Sequence, residues 1–393
     1  MALSLKLPTP RGGLETYTLA ANPVRPERPT VLSLSKEGLR KFNRIAYSAA
    51  HVVADPLASI DPWLQAAVDW DATIDYRRYL WSLGLGVAEA MDTAQRGMGL
   101  DWPTSLELIR RSLDAARDVP GALVASGCGT DHLAIDEVRS VDDVIRGYEE
   151  QMAAIEKLGG KLIVMASRAL AKVAKSPADY ERVYDRVLTQ AKQPVVLHWL
   201  GDMFDPALAG YWGSNDVDTA MQTALDVIAG NPGKVDGIKI SLLDKDKEIA
   251  MRARLPQGVR MYTGDDFNYA ELIESGSHAL LGIFDAIAPA ASAALGELAQ
   301  GKADKFHAIL GPTVAVSRHI FQAPTRFYKT GVVFMAWLNG HQSHFTMVGG
   351  QQSTRSLQHF AELFRLADKA NLLEKPELAV QRMKTLLAFN GIE

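Results

Sequence analysis

Apolar runs recur along the chain at a spacing that sets its architecture. They fall at 44–55 (RIAYSAAHVVAD), 86–91 (GVAEAM), 122–129 (ALVASGCG), 162–167 (LIVMAS), 195–200 (VVLHWL), 235–241 (VDGIKIS), 259–266 (VRMYTGDD) and 279–286 (ALLGIFDA). Near-continuous apolar runs of this length are how strands buried on both faces read. Between them the pattern changes to that of amphipathic helices, at 70–84, 103–117, 140–158, 176–191, 214–229, 243–254 and 268–276. Several of these open with capping chemistry: Ser140 stands ahead of Val141, Asp142 and Asp143, and Ser176 ahead of Pro177, Ala178 and Asp179.

Strand and helix alternating eight times predict an α/β fold of the (β/α)8 TIM-barrel type. An open doubly wound sheet is the rival. Against it, no G-x-G-x-x-G follows the first strand, and neither GIKIS nor GLGVAE has that spacing. Beyond residue 301 the periodicity is helical throughout, at 302–320, 325–339, 355–370 and 375–390. The N-terminal KLPTPRGGLETYTL has two short β-prone runs around PRGG and reads as a hairpin lid on one barrel end. The expected organisation is an N-terminal extension (1–43) packed on the barrel, a catalytic barrel (44–300) and a C-terminal helical region (301–393).

Composition narrows the partners. With 393 residues, a formal net charge of −4 and 47% hydrophobic content, the chain reads as globular, with no general attraction to nucleic acid or anionic membrane. The start MALSLKLPTPRGGLETY lacks an apolar signal-peptide core, and no run approaches the length of a membrane helix. The single cysteine, Cys128, excludes an internal disulfide and fits a reducing, cytoplasmic setting. A small molecule is the expected partner.

One charged group breaks the apolar pattern: Lys239, between two isoleucines in VDGIKIS. Barrel chemistry gathers at the C-terminal ends of the strands, where this lysine falls. A free lysine has a pKa near 10.4, and burial lowers it by up to about 3 units, about 4 kcal/mol of differential stabilisation. A neutral amine of this kind forms Schiff bases with ketones. The alternative is an ordinary structural lysine that snorkels or pairs with an acid such as Asp265.

The order of motifs adds to this reading. VDGIKIS, then TGDD (263–266), then ESGSHALLGIFDAIAP (274–289), with GTDHL (129–133) after the third strand, resembles the dihydrodipicolinate synthase and N-acetylneuraminate lyase superfamily. The whole chain is similar to a divergent bacterial dihydrodipicolinate synthase-like branch of unknown function. The resemblance implies that Lys239 is the Schiff-base lysine, that no cofactor is needed because the imine itself is the electron sink, and that the chain forms homodimers or tetramers.

Departures from that pattern bear on the substrate. The family's fifth strand ends in Y-N-x-P with an acid-base tyrosine, whereas VVLHWLG puts His198 there. Histidine titrates near 6.5 and returns protons readily at neutral pH, unless it is a neutral core residue. The family's G-T-T-G-E becomes AMDTAQRG, placing Asp92 and Thr93 at the hydroxyl pair with Glu89 on the strand. Carboxylates repel the carboxylate of pyruvate but accept hydrogen bonds from polyols. Pairing of Glu89 and Asp92 with Arg96 or Arg168 is the structural alternative. Arg168 replaces a mouth aromatic, and either clamps an anionic group or neutralises those acids.

Asp265 and Asp266 end the seventh strand, to bind hydroxyls, orient Lys239 or cap the next helix. Asp202, in WLGDMFDPALAGYWG (199–213), belongs to a loop that covers the site or forms only the barrel rim. His341 and His344 are too weak a pair to predict a metal. Arg326 and Lys329, in the family-like helix 324–337, read as surface charges. The reading is a class I aldolase or carbon-carbon lyase acting on a hydroxylated keto compound of the kind found in carbohydrate metabolism, with Lys239, His198 and Asp92 catalytic and Glu89, Thr93, Arg168, Asp202, Asp265 and Asp266 binding substrate. A Schiff-base dehydratase and a non-catalytic ligand-binding barrel are the alternatives.

Overall fold

A computed structural model describes residues 3–20 and 42–392. Eight parallel strands close into a barrel: β3 (Ala46–Ala49), β4 (Gly86–Glu89), β5 (Val124–Cys128), β6 (Lys161–Val164), β7 (Val195–Leu200), β8 (Val235–Ser241), β9 (Arg260–Thr263) and β10 (His278–Leu281), with β10 paired back onto β3. Each coincides with one of the eight apolar runs. β7 and β8 match their runs in length, and the other strands are shorter, several because the C-terminal residues of the run turn into the loops and short helices of the mouth.

Alternation along the strands sorts side chains into two cores. Tyr47, Ala49, Ala88, Ala125, Ile163, Val196, Tyr262 and Leu280 fill the barrel interior, while their neighbours, such as Val87, Ile238 and Ile240, face the surrounding helices. Gly237 belongs to the interior set: a Cβ there would stand 2.6 Å from the Tyr262 ring, so the large aromatic and the glycine share one layer.

The surrounding helices are α1 (Trp70–Ser82), α2 (Trp102–Ala116), α3 (Val141–Lys157), α4 (Arg168–Val173), α5 (Pro177–Gln190), α6 (Val217–Gly230), α7 (Lys245–Arg252), α8 (Tyr269–Glu274), α9 (Ile283–Ala286) and α10 (Ala288–Ala299). Caps fix several starts: Asp69 accepts from Ala72 N–H, Asp101 from Thr104 N–H, and Ser140 and Asp143 form a reciprocal capping box. Beyond the barrel come α11 (Ala303–Ile320), α12 (Tyr328–Asn339), α13 (Leu357–Lys369) and α14 (Pro376–Phe389), each within a few residues of its predicted span. All twelve residues of α12 are buried, the condition of a helix enclosed on every side.

The predicted hairpin is present as β1 (Ser4–Pro8) and β2 (Leu14–Thr18). Its position differs from a lid on the barrel end. It docks on the C-terminal helices: Arg365 of α13 donates to Pro8 carbonyl and Glu15, and Tyr17 OH donates to Asp368. The outward residues of β1, Leu5 and Leu7, are buried there, which supplies the apolar contact a two-stranded hairpin needs. Residues 21–41 of the predicted extension lie outside the described residues.

Candidate active site

Interior alternation decides which side chains reach the mouth. On β8, Gly237, Lys239 and Ser241 share the interior face. Lys239 lies level with His198 on β7, whose Cα is its register partner. The lysine is 7% exposed. Its stem has room because β9 is followed by Gly264: a Cβ there would collide with Ser241 Oγ and stand 2.7 Å from both Ile240 carbonyl and Lys239 Cε. The glycine of TGDD is therefore a steric requirement of the end of β8, the lysine included.

Burial lowers the pKa of Lys239, and the charges of Asp266 and Asp92 oppose that shift. Asp266 is itself pushed up to about 7 by burial, with the Ile283 N–H that it accepts at 2.9 Å and the lysine pulling it back down. A buried amine and a buried carboxyl thus share one proton-rich corner in which neither is held firmly in its charged form.

His198 is 1% exposed; Nε2 is 3.4 Å from Ser241 Oγ and Nδ1 has no partner among the described residues. Burial, then the neighbouring Lys239, holds its pKa well below the usual histidine value. The ring is neutral at pH 7, and its buried Nδ1 is without a hydrogen-bond partner among the described residues.

The loop after β4 is shaped by backbone strain. Ala90 has φ +51°, a left-handed conformation unfavourable for alanine, and Gln95 follows at φ +65°. The step at Ala90 flips the strand alternation, so Met91 enters the interior and Ala90 faces the helices. Glu89 anchors the strained step: Oε1 accepts from Ala90 N–H at 2.9 Å while Arg77 of α1 binds both carboxylate oxygens at 2.8 and 2.9 Å. Glu89 and Arg77 are fully buried, outside the barrel. The expectation that Glu89 binds substrate, or pairs with Arg96 or Arg168, is corrected by its outward register.

Asp92 and Thr93 then form a 3-10 turn at the mouth. Asp92 lines the cavities there. Thr93 Oγ1 is 2.7 Å from the hydroxyl of Tyr328, the first residue of α12. A Cβ at Gly282 would stand 3.1 Å from the Tyr328 ring and 3.5 Å from Thr93 Oγ1, so the small residue after β10 lets the phenol approach the hydroxyl. Burial, then Asp92, keeps this phenol protonated well above its ordinary range.

Two adjoining cavities, of about 330 and 200 Å³, share Asp92, Arg96, Gly97, Arg168, Leu200 and Asp205. The larger adds Met98, Arg326, Tyr328 and Lys329; the smaller adds His198 and Thr130. Lys239 stands beside them, next to cavity-lining His198 and within the field of Asp92.

Other predicted residues are placed elsewhere. Asp265 faces away from the interior and caps the following turn, accepting from Phe267 and Asn268 N–H. Asp202 is exposed on the rim. Arg168 opens α4 and donates through Nε to Asp205. Tyr211 and Trp212 are buried, Trp212 stacking on Tyr184 at 4.5 Å, so this stretch is packed rim and not a sugar-facing surface. Cys128 is buried against α3, its thiol pushed up to about 12 by burial. His341 pairs with Glu374, and no group of three or more metal-ligating side chains occurs among the described residues.

Tyr328 escaped the sequence reading, and Lys329 and Arg96 were given other places in it. Lys329 is 4% exposed and lines the larger cavity, contrary to the surface position expected for it. The signal was available, because YKTGVVFMAWLN has no polar face, and a helix enclosed all round carries its first turn inward too. Arg96 donates to Asp131, Gln151 and Gly127 carbonyl, tying the β4 and β5 loops together.

The architecture and the interior lysine define a (β/α)8 barrel with the fold of the dihydrodipicolinate synthase structures. It superimposes on the dihydrodipicolinate synthase of Oceanobacillus iheyensis with TM-score 0.59 at 15% identity, covering 84% of this chain and 97% of that one. For the Thermotoga maritima enzyme the values are 0.61, 15%, 85% and 100%. For a prophage protein of the same family from E. coli K12, solved with pyruvate, they are 0.62, 14%, 90% and 100%. At such identity the likeness is one of fold. By sequence, the chain belongs to the family described as protein of unknown function DUF993, matched over residues 5–392. No curated protein matches it, and no helix among the described residues is long and apolar enough to cross a membrane.

Proposed function

We propose that this protein is a class I, Schiff-base-forming lyase or aldolase that breaks or makes a carbon–carbon bond in a hydroxylated keto compound. The observation that carries the reading is the Lys239 amine: inside a closed barrel, 7% exposed, lowered in pKa by burial and faced by a carboxyl that titrates near 7. An amine whose charged form burial disfavours attacks a ketone carbon when neutral, and Asp266 takes and returns the protons that carbinolamine formation and loss of water require.

In the resulting iminium the C–C bond β to nitrogen breaks toward the positive nitrogen once the β-hydroxyl loses its proton. The Thr93–Tyr328 pair is a relay for that proton, supplying from α12 the phenol that VVLHWLG lacks on the fifth strand. His198, neutral and with one ring nitrogen free, is the hydrogen-bonding partner for a substrate hydroxyl, as is Asp92. Protonation of the enamine and hydrolysis release the product. No cofactor enters the scheme, since the iminium takes up the electron pair.

Borohydride reduction in the presence of candidate hydroxyketones tests the reading. A stable adduct mapped to the Lys239 peptide is expected. If no carbonyl compound gives one, the protein is a binding barrel with a structural lysine. Product mass separates two fragments from a single dehydrated product, which would make the enzyme a dehydratase.

A further inference from the structure

The larger cavity has a chemistry of its own at the end formed by α12 and α4. Lys329 is 4% exposed yet forms no ion pair among the described residues. Its ammonium donates to Arg326 carbonyl at 3.0 Å, meets the weak acceptor Met98 Sδ at 3.4 Å and lies over the Tyr328 ring at 4.7 Å. Buried charges ordinarily have ionic partners, and among the described residues this one has only neutral contacts. Arg326, on the same rim, forms no ion pair among the described residues either. Arg168 spends Nε on Asp205, and its terminal nitrogens are unengaged among the described residues, Nη1 lying beside Gly97.

With Arg168 matched by Asp205, and Arg96 by Asp131, the remaining cations Lys329 and Arg326 outnumber Asp92. The cavity wall is short of negative charge. Asp92 lies within the field of both Lys239 and Lys329.

We infer that Lys329, Arg326 and the free edge of Arg168 form an anion subsite for the end of the substrate remote from its carbonyl, a phosphate or carboxylate group. This rests on the lyase reading for its substrate but not for its ion: the subsite holds the anion, Asp92 the intervening hydroxyls, and Lys239 the ketone. Guanidinium forks and an ammonium suit such oxygens, and an anion there gives Lys329 the partner it lacks.

Two measurements test it separately. Calorimetric titration with inorganic phosphate and with acetate is expected to show binding of at least one ion to the wild type. Lys329→Met and Arg326→Ala should each weaken that binding tenfold or more without lowering the thermal midpoint. The ion preferred identifies the group. Absence of binding by both ions, or binding that survives Lys329→Met, overturns the subsite. Borohydride trapping then compares dihydroxyacetone phosphate and levulinate with uncharged dihydroxyacetone. A charged ketone should trap at a concentration at least tenfold lower, and Lys329→Met should remove that advantage while dihydroxyacetone trapping persists. Equal trapping of charged and uncharged ketones overturns the subsite and leaves the imine intact. If no ketone is trapped, the lyase reading falls and the ion titration alone decides the subsite.

Discussion

Lys239→Arg keeps a cation in the barrel but removes the nucleophilic amine. Imine trapping should fall below detection while the fold is kept, as read by mass spectrometry and circular dichroism. Tyr328→Phe removes one hydroxyl and should lower turnover by about 10²-fold, the scale of a lost acid-base group, while trapping at Lys239 persists. Asp266 gives the pH signature. Burial pushes its carboxyl up to about 7, so it is protonated below that pH and charged above it. The rate of imine formation should rise through pH 7 in the wild type, and Asp266→Asn should flatten that limb. Much of this corner was legible in residue spacing: counting in twos from Lys239 places Gly237 and Ser241 on the interior face, and Ile238 and Ile240 on the outer one. The same count on β4 turns Glu89 outward. Chemical type drew attention to Glu89 where register excluded it.

Elements hold the site through two kinds of contact. The Glu89–Arg77 pair joins α1 to the strained end of β4 with both side chains out of water. Glu89→Ala leaves the buried Arg77 guanidinium with carbonyl partners but no counter-charge, which costs about 3–5 kcal/mol, measurable by denaturant unfolding. Gly264→Ala tests the other kind: it inserts a methyl against Ser241 Oγ, Ile240 carbonyl and Lys239 Cε. It should abolish trapping although no reactive group is changed. Strands and helices were readable because period two and period 3.6 are local properties of the chain. What α12 touches was not readable, because the contact between Thr93 and Tyr328 spans 235 residues and depends on how the tail folds back over the mouth. Ala90 gave no signal, since nothing in its side chain announces a positive φ.

At the scale of the whole molecule, the mouth carries a standing cost. Burial lowers Lys329 to about 8 from 10.5, so folding penalises the protonated form. The penalty is complete below pH 8 and is relieved as pH climbs toward 10.5, because over that window the unfolded chain holds a proton that the folded one has released. The shift corresponds to about 3 kcal/mol, so Lys329→Met should stabilise the protein by that order at pH 7 and by little at pH 10.5. Anion affinity should move the other way. With sulfate, whose charge is constant in this range, binding should weaken above pH 8 as Lys329, set among Asp92, Arg168, Asp205 and Arg326, loses its proton.

The docking of the first hairpin on α13 sets an order of events during synthesis. Tyr17 and Asp368 are 351 positions apart, and at about 5–20 residues per second a ribosome needs on the order of tens of seconds to make the second after the first. Through that interval the apolar edge of the hairpin has no seat, and the barrel emerges before the helix that brings Tyr328 and Lys329 to its mouth. A nascent chain therefore carries all eight barrel strands before Tyr328 and Lys329 exist to line the mouth, and the wall of the larger cavity is completed only once the tail has been made.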